Sequence, residues 1–167
     1  MEVPLDKISD LSISLDDVLV NGKPHSLLTE SDVRASEPVQ IQLTVFNNGG
    51  QSTGSFSVKL YEGSRVIDEY NLGQGISGFG NEPVILQWEN PSSGSKTLKI
   101  YVDFEQKVVT ESNSNRFDNS VTLPLIVGEK SSDKGENNSD DPLLYGPSHL
   151  LTAFVLVLFT VLKHKRN

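Results

Sequence analysis

Between Asp10 and Val127, apolar side chains recur at every second position, and no other feature of this chain limits its possible folds so strongly. A strand points successive side chains to opposite faces, so a period of two describes a strand with one face buried and one wet. "LSISL" alternates Leu11, Ile13 and Leu15; "VQIQLTV" alternates Val39, Ile41, Leu43 and Val45; "FSVKL" presents Phe56, Val58 and Leu60. "LKIYV" adds Leu98, Ile100 and Val102, "VTLPLIV" adds Val121, Leu123, Leu125 and Val127, and "RVIDEYNL" and "PVILQW" are strand-like but less regular. Pro124 assigns its strand to a sheet edge, because proline has no N–H to give a ladder.

The runs are separated by "VNGKP", "FNNGGQSTG", "EGS", "GQGISGFGN" and "NPSSGS", where Gly and Asn supply the positive φ of tight turns. No segment here holds a helical period. About seven short strands in roughly 118 residues predict an all-β fold, an immunoglobulin-like two-sheet β-sandwich. An apolar content of 36% is enough for one such core.

The flanks read differently. Residues 1–9 form a short lead. Residues 128–142, "GEKSSDKGENNSDDP", lack large apolar side chains and read as a disordered acidic linker. Residues 143–162 would span about 30 Å as a helix, the thickness of a bilayer core, and are expected to form a C-terminal transmembrane helix. The alternative is a docking segment or a spurious tail. The basic tail, residues 163–167, contains "KHKR" and should stay cytoplasmic, which puts the sandwich outside the cell on a single-pass membrane protein. Export needs a signal, and "MEVPLDKIS" has no basic start followed by an apolar run. An upstream part lost to a fragment or mis-assigned start is therefore expected; a reversed topology would break the positive-inside rule.

The acidic residues, 22 in all, precede Pro142, and the net charge of −8 leaves no basic patch for phosphates, so nucleic acid is excluded as a partner. The absence of cysteine excludes disulfides, thiolate metal sites and cysteine nucleophiles.

Three pieces of the sandwich region carry a family resemblance. "EPVQIQLTVFNNGGQSTGSFSVKLYEGSRVID" has a strand, an Asn-x-Gly turn at Asn47 and Gly49, a strand and a Gly-ended hairpin. "VILQW" ends on Trp88, and "GSKTLKIYVDFEQKVVTESNSN" has a Gly-x-x-x-Leu strand, an Asp and a Glu-containing loop. In this order the region resembles the CARDB family, the cell-adhesion-related domains of bacterial and archaeal surface proteins. The resemblance implies an immunoglobulin-like surface module, often repeated in larger proteins. The family loop commonly carries a second acidic residue before paired asparagines; here Ser114 stands at or near that place and Asn115 precedes Arg116.

The stretch from Asp103 to Val121 is dense in side-chain oxygens. Asp103, Glu111, Asn113, Asn115 and Asp118 could ligate Ca²⁺, which takes six to eight oxygens. The alternative is that Asp103 caps the turn and the asparagines bond nearby backbone amides as Asx-turns. No other cofactor is implied. His25, His149 and His164 are the only histidines, no nucleophile-elbow or zinc motif accompanies them, and an enzyme is not expected. A sugar site would need aromatic platforms from Tyr61, Tyr70, Phe79 or Trp88, with Phe79 and Tyr70 the ligand-binding candidates; alternatively Trp88 and Tyr61 fill or edge the core. Asn137 in "NNS" is a glycosylation sequon. The expected function is a non-catalytic cell-surface binding or adhesion module whose partner is a surface protein or glycan. The competing expectation is a passive spacer or an accessory domain of a larger surface protein or enzyme.

Overall fold

The computed structural model describes residues 4–108 and 116–130, which form nine strands, four 3-10 turns and no α-helix. The strands are β1 (Leu11–Ser12), β2 (Leu19–Val20), β3 (Lys23–Pro24), β4 (Val39–Asn47), β5 (Phe56–Glu62), β6 (Arg65–Leu72), β7 (Asn81–Trp88), β8 (Gly94–Val102) and β9 (Ser120–Val127). All their pairings are antiparallel. In one sheet β4 pairs along its length with β7, from Val39 opposite Trp88 to Phe46 opposite Asn81, while its other flank takes β2 and then β1. The second sheet has the order β6-β5-β8-β9. This is the two-sheet sandwich that the alternation predicts. Pro124 indeed lies on an edge strand, and Pro83 lies on β7, which pairs only with β4.

The strands form where alternation and burial agree. β4 alternates without a fault, with Val39, Ile41, Leu43 and Val45 inward, and meets Val58 and Leu60 of β5, Leu98 and Ile100 of β8, and Leu123 and Leu125 of β9 in one core. Trp88 is buried there too, so it fills the core rather than offering a platform. Each such side chain contributes about 1.5–3 kcal/mol as an upper estimate. β6 is an edge strand with only Leu72 fully buried and Ile67 and Tyr70 partly packed on the core, and a bulge between Leu60 and Tyr61 shifts its register, which is why "RVIDEYNL" alternates poorly.

One local reading needs correcting, and one turn gains its geometry. "LSISL" is a strand only over Leu11–Ser12, because the Ser14 hydroxyl accepts the Asp16 N–H and caps a 3-10 turn over Leu15–Asp17. The "VNGKP" turn is a two-residue hairpin between β2 and β3, with Asn21 at φ +50° and Gly22 at φ +77°, as a type I′ turn requires.

Asn47 extends the inward row of β4 and is buried, so its amide must be satisfied inside. Its Oδ1 accepts the N–H groups of Asp10 and Gly49, and its Nδ2 donates to the carbonyls of Gln51 and Ser77. Gly49 then passes so close to the chain start that an added Cβ would stand 2.2 Å from the Ile8 carbonyl oxygen. The Asn-x-Gly pair is thus a knot between the N-terminal segment and two loops.

Gly128 exchanges backbone hydrogen bonds with Val33 and Ala35 after β9. Most of the expected linker, the span 143–162, the tail, Asn137, His149 and His164 lie outside the described residues. Among the described residues no helix is long and apolar enough to cross a membrane.

Candidate functional site

The strand β8 ends at a reversal built by one carboxylate. Asp103 has φ +49°, donates its N–H to the Ser57 carbonyl, and accepts the Gln106 N–H on its own carbonyl. Its side chain is fully buried: Oδ1 takes the Lys107 N–H at 2.8 Å, and Oδ2 takes the Val108 N–H at 2.9 Å and an Arg116 guanidinium N–H at 3.3 Å. Arg116 also donates to the Val108 carbonyl at 2.9 Å. Both oxygens of Asp103 are therefore engaged as a turn cap, and its buried side chain has all its hydrogen bonding satisfied inside.

The reversal puts Phe104 and Glu105 on the outer face of the second sheet. Because Val58 and Leu60 point inward, Lys59 and Tyr61 point outward, and by the same alternation Lys99 and Tyr101 are outward on β8. The register places Lys59 opposite Tyr101 and Tyr61 opposite Lys99, so the two tyrosines are diagonal neighbours. Tyr61 meets Tyr101 edge to face at 5.4 Å between centroids, and Phe104 lies 5.4 Å from Tyr101 and 5.8 Å from Tyr61. Phe104 remains 55% exposed. Beside the rings the Lys59 ammonium contacts the Glu105 carboxylate, which also accepts from the Ser57 hydroxyl, with Glu69 at 3.9 Å. Glu105 raises the Lys59 pKa, and Lys59 in turn lowers that of Glu105. The ionised pair borders the aromatic patch.

On the β9 side of Tyr101 lies a cavity of about 230 Å³, lined by Tyr101, Phe104, Gln106, Arg116, Asn119 and Ser120 among others. The aromatic patch was missed at the sequence level, although a signal existed: Tyr61 and Tyr101 occupy the wet slots of two well-alternating strands.

Of the expected site residues, Asp103, Asp118, Phe79 and Tyr70 are among those described. Asp118 sits in a 3-10 turn, Arg116–Asp118, where burial raises its carboxyl pKa and the nearby Asp10 charge raises it further. Its Oδ1 is buried with no hydrogen-bond partner among the described residues. Glu111, Asn113 and Asn115 lie outside the described residues, and within those described no three His, Cys, Asp or Glu side chains converge as metal ligands. Phe79 is exposed, at φ +56° in the β6–β7 loop, whereas Tyr70 is half-buried against the core; the ring contacts of the described residues do not join them. His25 opens a 3-10 turn after β3.

The fold recurs in solved structures. The CARDB domain of the PF1109 protein from Pyrococcus furiosus, crystallised in complex with di-metal ions, is similar at a TM-score of 0.56 and 18% identity, covering 74% of this chain and 97% of that one. Its solution structure matches at 0.52 and 20%, covering 73% and 97%. A domain named for a cell surface protein of Methanosarcina acetivorans matches at 0.52 and 23%, covering 72% and 92%. No curated protein matches the chain. The family model for CARDB matches residues 10–122, nearly the whole sandwich, and the chain belongs to the CARDB family.

Proposed function

We propose that this domain is a non-catalytic binding module of a cell-surface protein and that it meets its partner through the Tyr61, Tyr101 and Phe104 face. The observation carrying the reading is the packing of three aromatic rings on the solvent side of β5 and β8, bordered by the Lys59–Glu105 pair. An outward aromatic cluster with a charged border, half-buried at Tyr61 and Tyr101 and exposed at Phe104, has the composition of interaction surfaces, where tyrosines supply large, stiff contact area. A passive spacer needs no such patch. The anchor reading draws its support from the sequence, where the apolar run 143–162 is followed by "KHKR".

The test is a pull-down of cell envelopes from the producing organism by the immobilised full chain, repeated with Tyr61→Ser, Tyr101→Ser and Phe104→Ser combined. Retention by the wild-type chain and its loss in the variant support the reading. Envelopes that bind neither chain better than bare resin reduce the domain to a spacer.

Calcium is the second reading, favoured by the buried Oδ1 of Asp118, which has no hydrogen-bond partner among the described residues and feels the Asp10 charge. A cation there would relieve the like-charge pair, and Glu111, Asn113 and Asn115 lie close to Asp118 in sequence. Asp103 fits this role poorly, since its oxygens already take three donors. Heat on titrating CaCl₂ into the full chain, absent in Asp118→Asn, supports the site; no heat removes it.

A further inference from the structure

We propose that the cavity beside Tyr101 holds one neutral pyranose ring of a surface glycan; this rests on the reading of the aromatic face as the binding surface and names its ligand class. Position, size and charge each narrow the occupant.

Tyr101 has Lys59 of β5 on one flank and Ser120 of β9 on the other. Tyr61 closes the β5 side through its edge-to-face contact, so the cavity lies between Tyr101, Phe104 and the β9 side. The rings of Tyr101 and Phe104 stand at 71° to one another, forming two walls of an aromatic corner. A volume of about 230 Å³ would hold roughly eight waters at about 30 Å³ each, the bulk of one six-membered sugar and its hydroxyls.

Among the described residues of the lining the charges balance: Asp103 and Arg116 are paired with each other at 3.3 Å, and the rest is aromatic, aliphatic, amide or hydroxyl. These described groups offer no uncompensated charge to a phosphate, a carboxylate or an ammonium group, and a chain of net charge −8 disfavours anions at longer range. A purely apolar guest would strand the polar groups of Gln106 and Ser120 against it. The occupant that suits both is a neutral polyol with one apolar face. A pyranose lays its C–H groups on the negative face of an aromatic ring and turns its hydroxyls outward to amide and hydroxyl partners. One such ring binds weakly, and many copies on a cell surface raise the avidity.

The test is saturation-transfer NMR on the full chain in a detergent without a sugar head group. The probes are methyl glucoside, methyl galactoside, methyl mannoside and N-acetylglucosamine, with methyl glucuronide as the charged comparison. The expected result is transfer to the ring protons of at least one neutral sugar at a Kd of about 1 mM or weaker, and about tenfold less for the glucuronide. Tyr101→Ala should abolish transfer and Phe79→Ala should leave it unchanged. If Tyr101→Ala does not fold, Gln106→Asn decides, since it tolerates the φ of +54° and only shortens the reach; it should weaken transfer several-fold. No transfer from any neutral sugar, or transfer indifferent to both cavity variants, overturns the proposal. Envelope binding that survives periodate, with no sugar transfer, overturns the sugar alone and leaves a protein as partner. Loss of both signals overturns the binding face as well.

Discussion

Replacing Asp103 by Asn separates a turn cap from a metal ligand with little change of shape. Asn tolerates the left-handed φ of +49°, so no backbone strain is added. What changes is the hydrogen bonding: the carboxylate accepts two backbone N–H groups and the Arg116 guanidinium, whereas an amide offers one acceptor oxygen and turns its N–H₂ toward a donor. One buried donor is then left unmade, at about 1–3 kcal/mol, and the charge-assisted bond to Arg116 is lost as well. Because the site is buried, these losses are not made good by water, and the sum is about 3 kcal/mol. At about 4 °C per kcal/mol for a domain of this size, the melting temperature should fall by about 12 °C. Circular dichroism of the full chain, melted with EDTA and with excess CaCl₂, gives the answer. The variant should melt lower than the wild type by the same amount in both solutions. A variant within about 0.5 kcal/mol of wild type would refute the cap, since surface substitutions away from special features cost that little. A large wild-type loss in EDTA, absent in the variant, would make Asp103 a metal ligand instead.

Other consequences can be measured the same way. Asn47→Leu strands the N–H groups of Asp10 and Gly49 and the carbonyls of Gln51 and Ser77, so urea unfolding should show a loss of about 3 kcal/mol or more; a neutral result would remove the knot. Asp118 has a folded pKa raised above its ordinary 3.8, so its ionisation weakens the fold as pH climbs through that raised value. Asp118→Asn should therefore melt higher than wild type at pH 7 without calcium, the gap closing below about pH 4. Asp32 behaves oppositely: the Lys23 ammonium and Thr29 donors lower its pKa to about 2, so its contribution is present above pH 3.8 and is lost as pH falls toward 2. The melting curve of Asp32→Asn should accordingly be flatter with pH across that window.

Much of this fold can be read from spacing because β4, β5, β8 and β9 have one wet face and one dry one, and their alternation is a direct record of it. Where an edge strand is only partly buried and its register is shifted by a bulge, as in β6, the record fades. Local side-chain bonds erase it too: nothing in the alternation of Leu11, Ile13 and Leu15 announces that the Ser14 hydroxyl will end the strand. The candidate site was legible in its parts and not in its assembly. Asp103 can be recognised as a cap or a ligand from its place after a strand, but choosing needs the positions of Lys107, Val108 and Arg116. Tyr61 and Tyr101 announce themselves as outward, yet their contact depends on the register of β5 against β8, and Phe104 joins them only through the reversal at Asp103.

Hydroxyl-radical footprinting of the full chain, with and without envelopes, reads the solvent exposure of each aromatic side chain during binding. The aromatic-face account predicts protection of Tyr61, Tyr101 and Phe104, with Phe79 and Phe117 as reactive as in the free chain. Protection of Phe79 with the three-ring patch unchanged would contradict it.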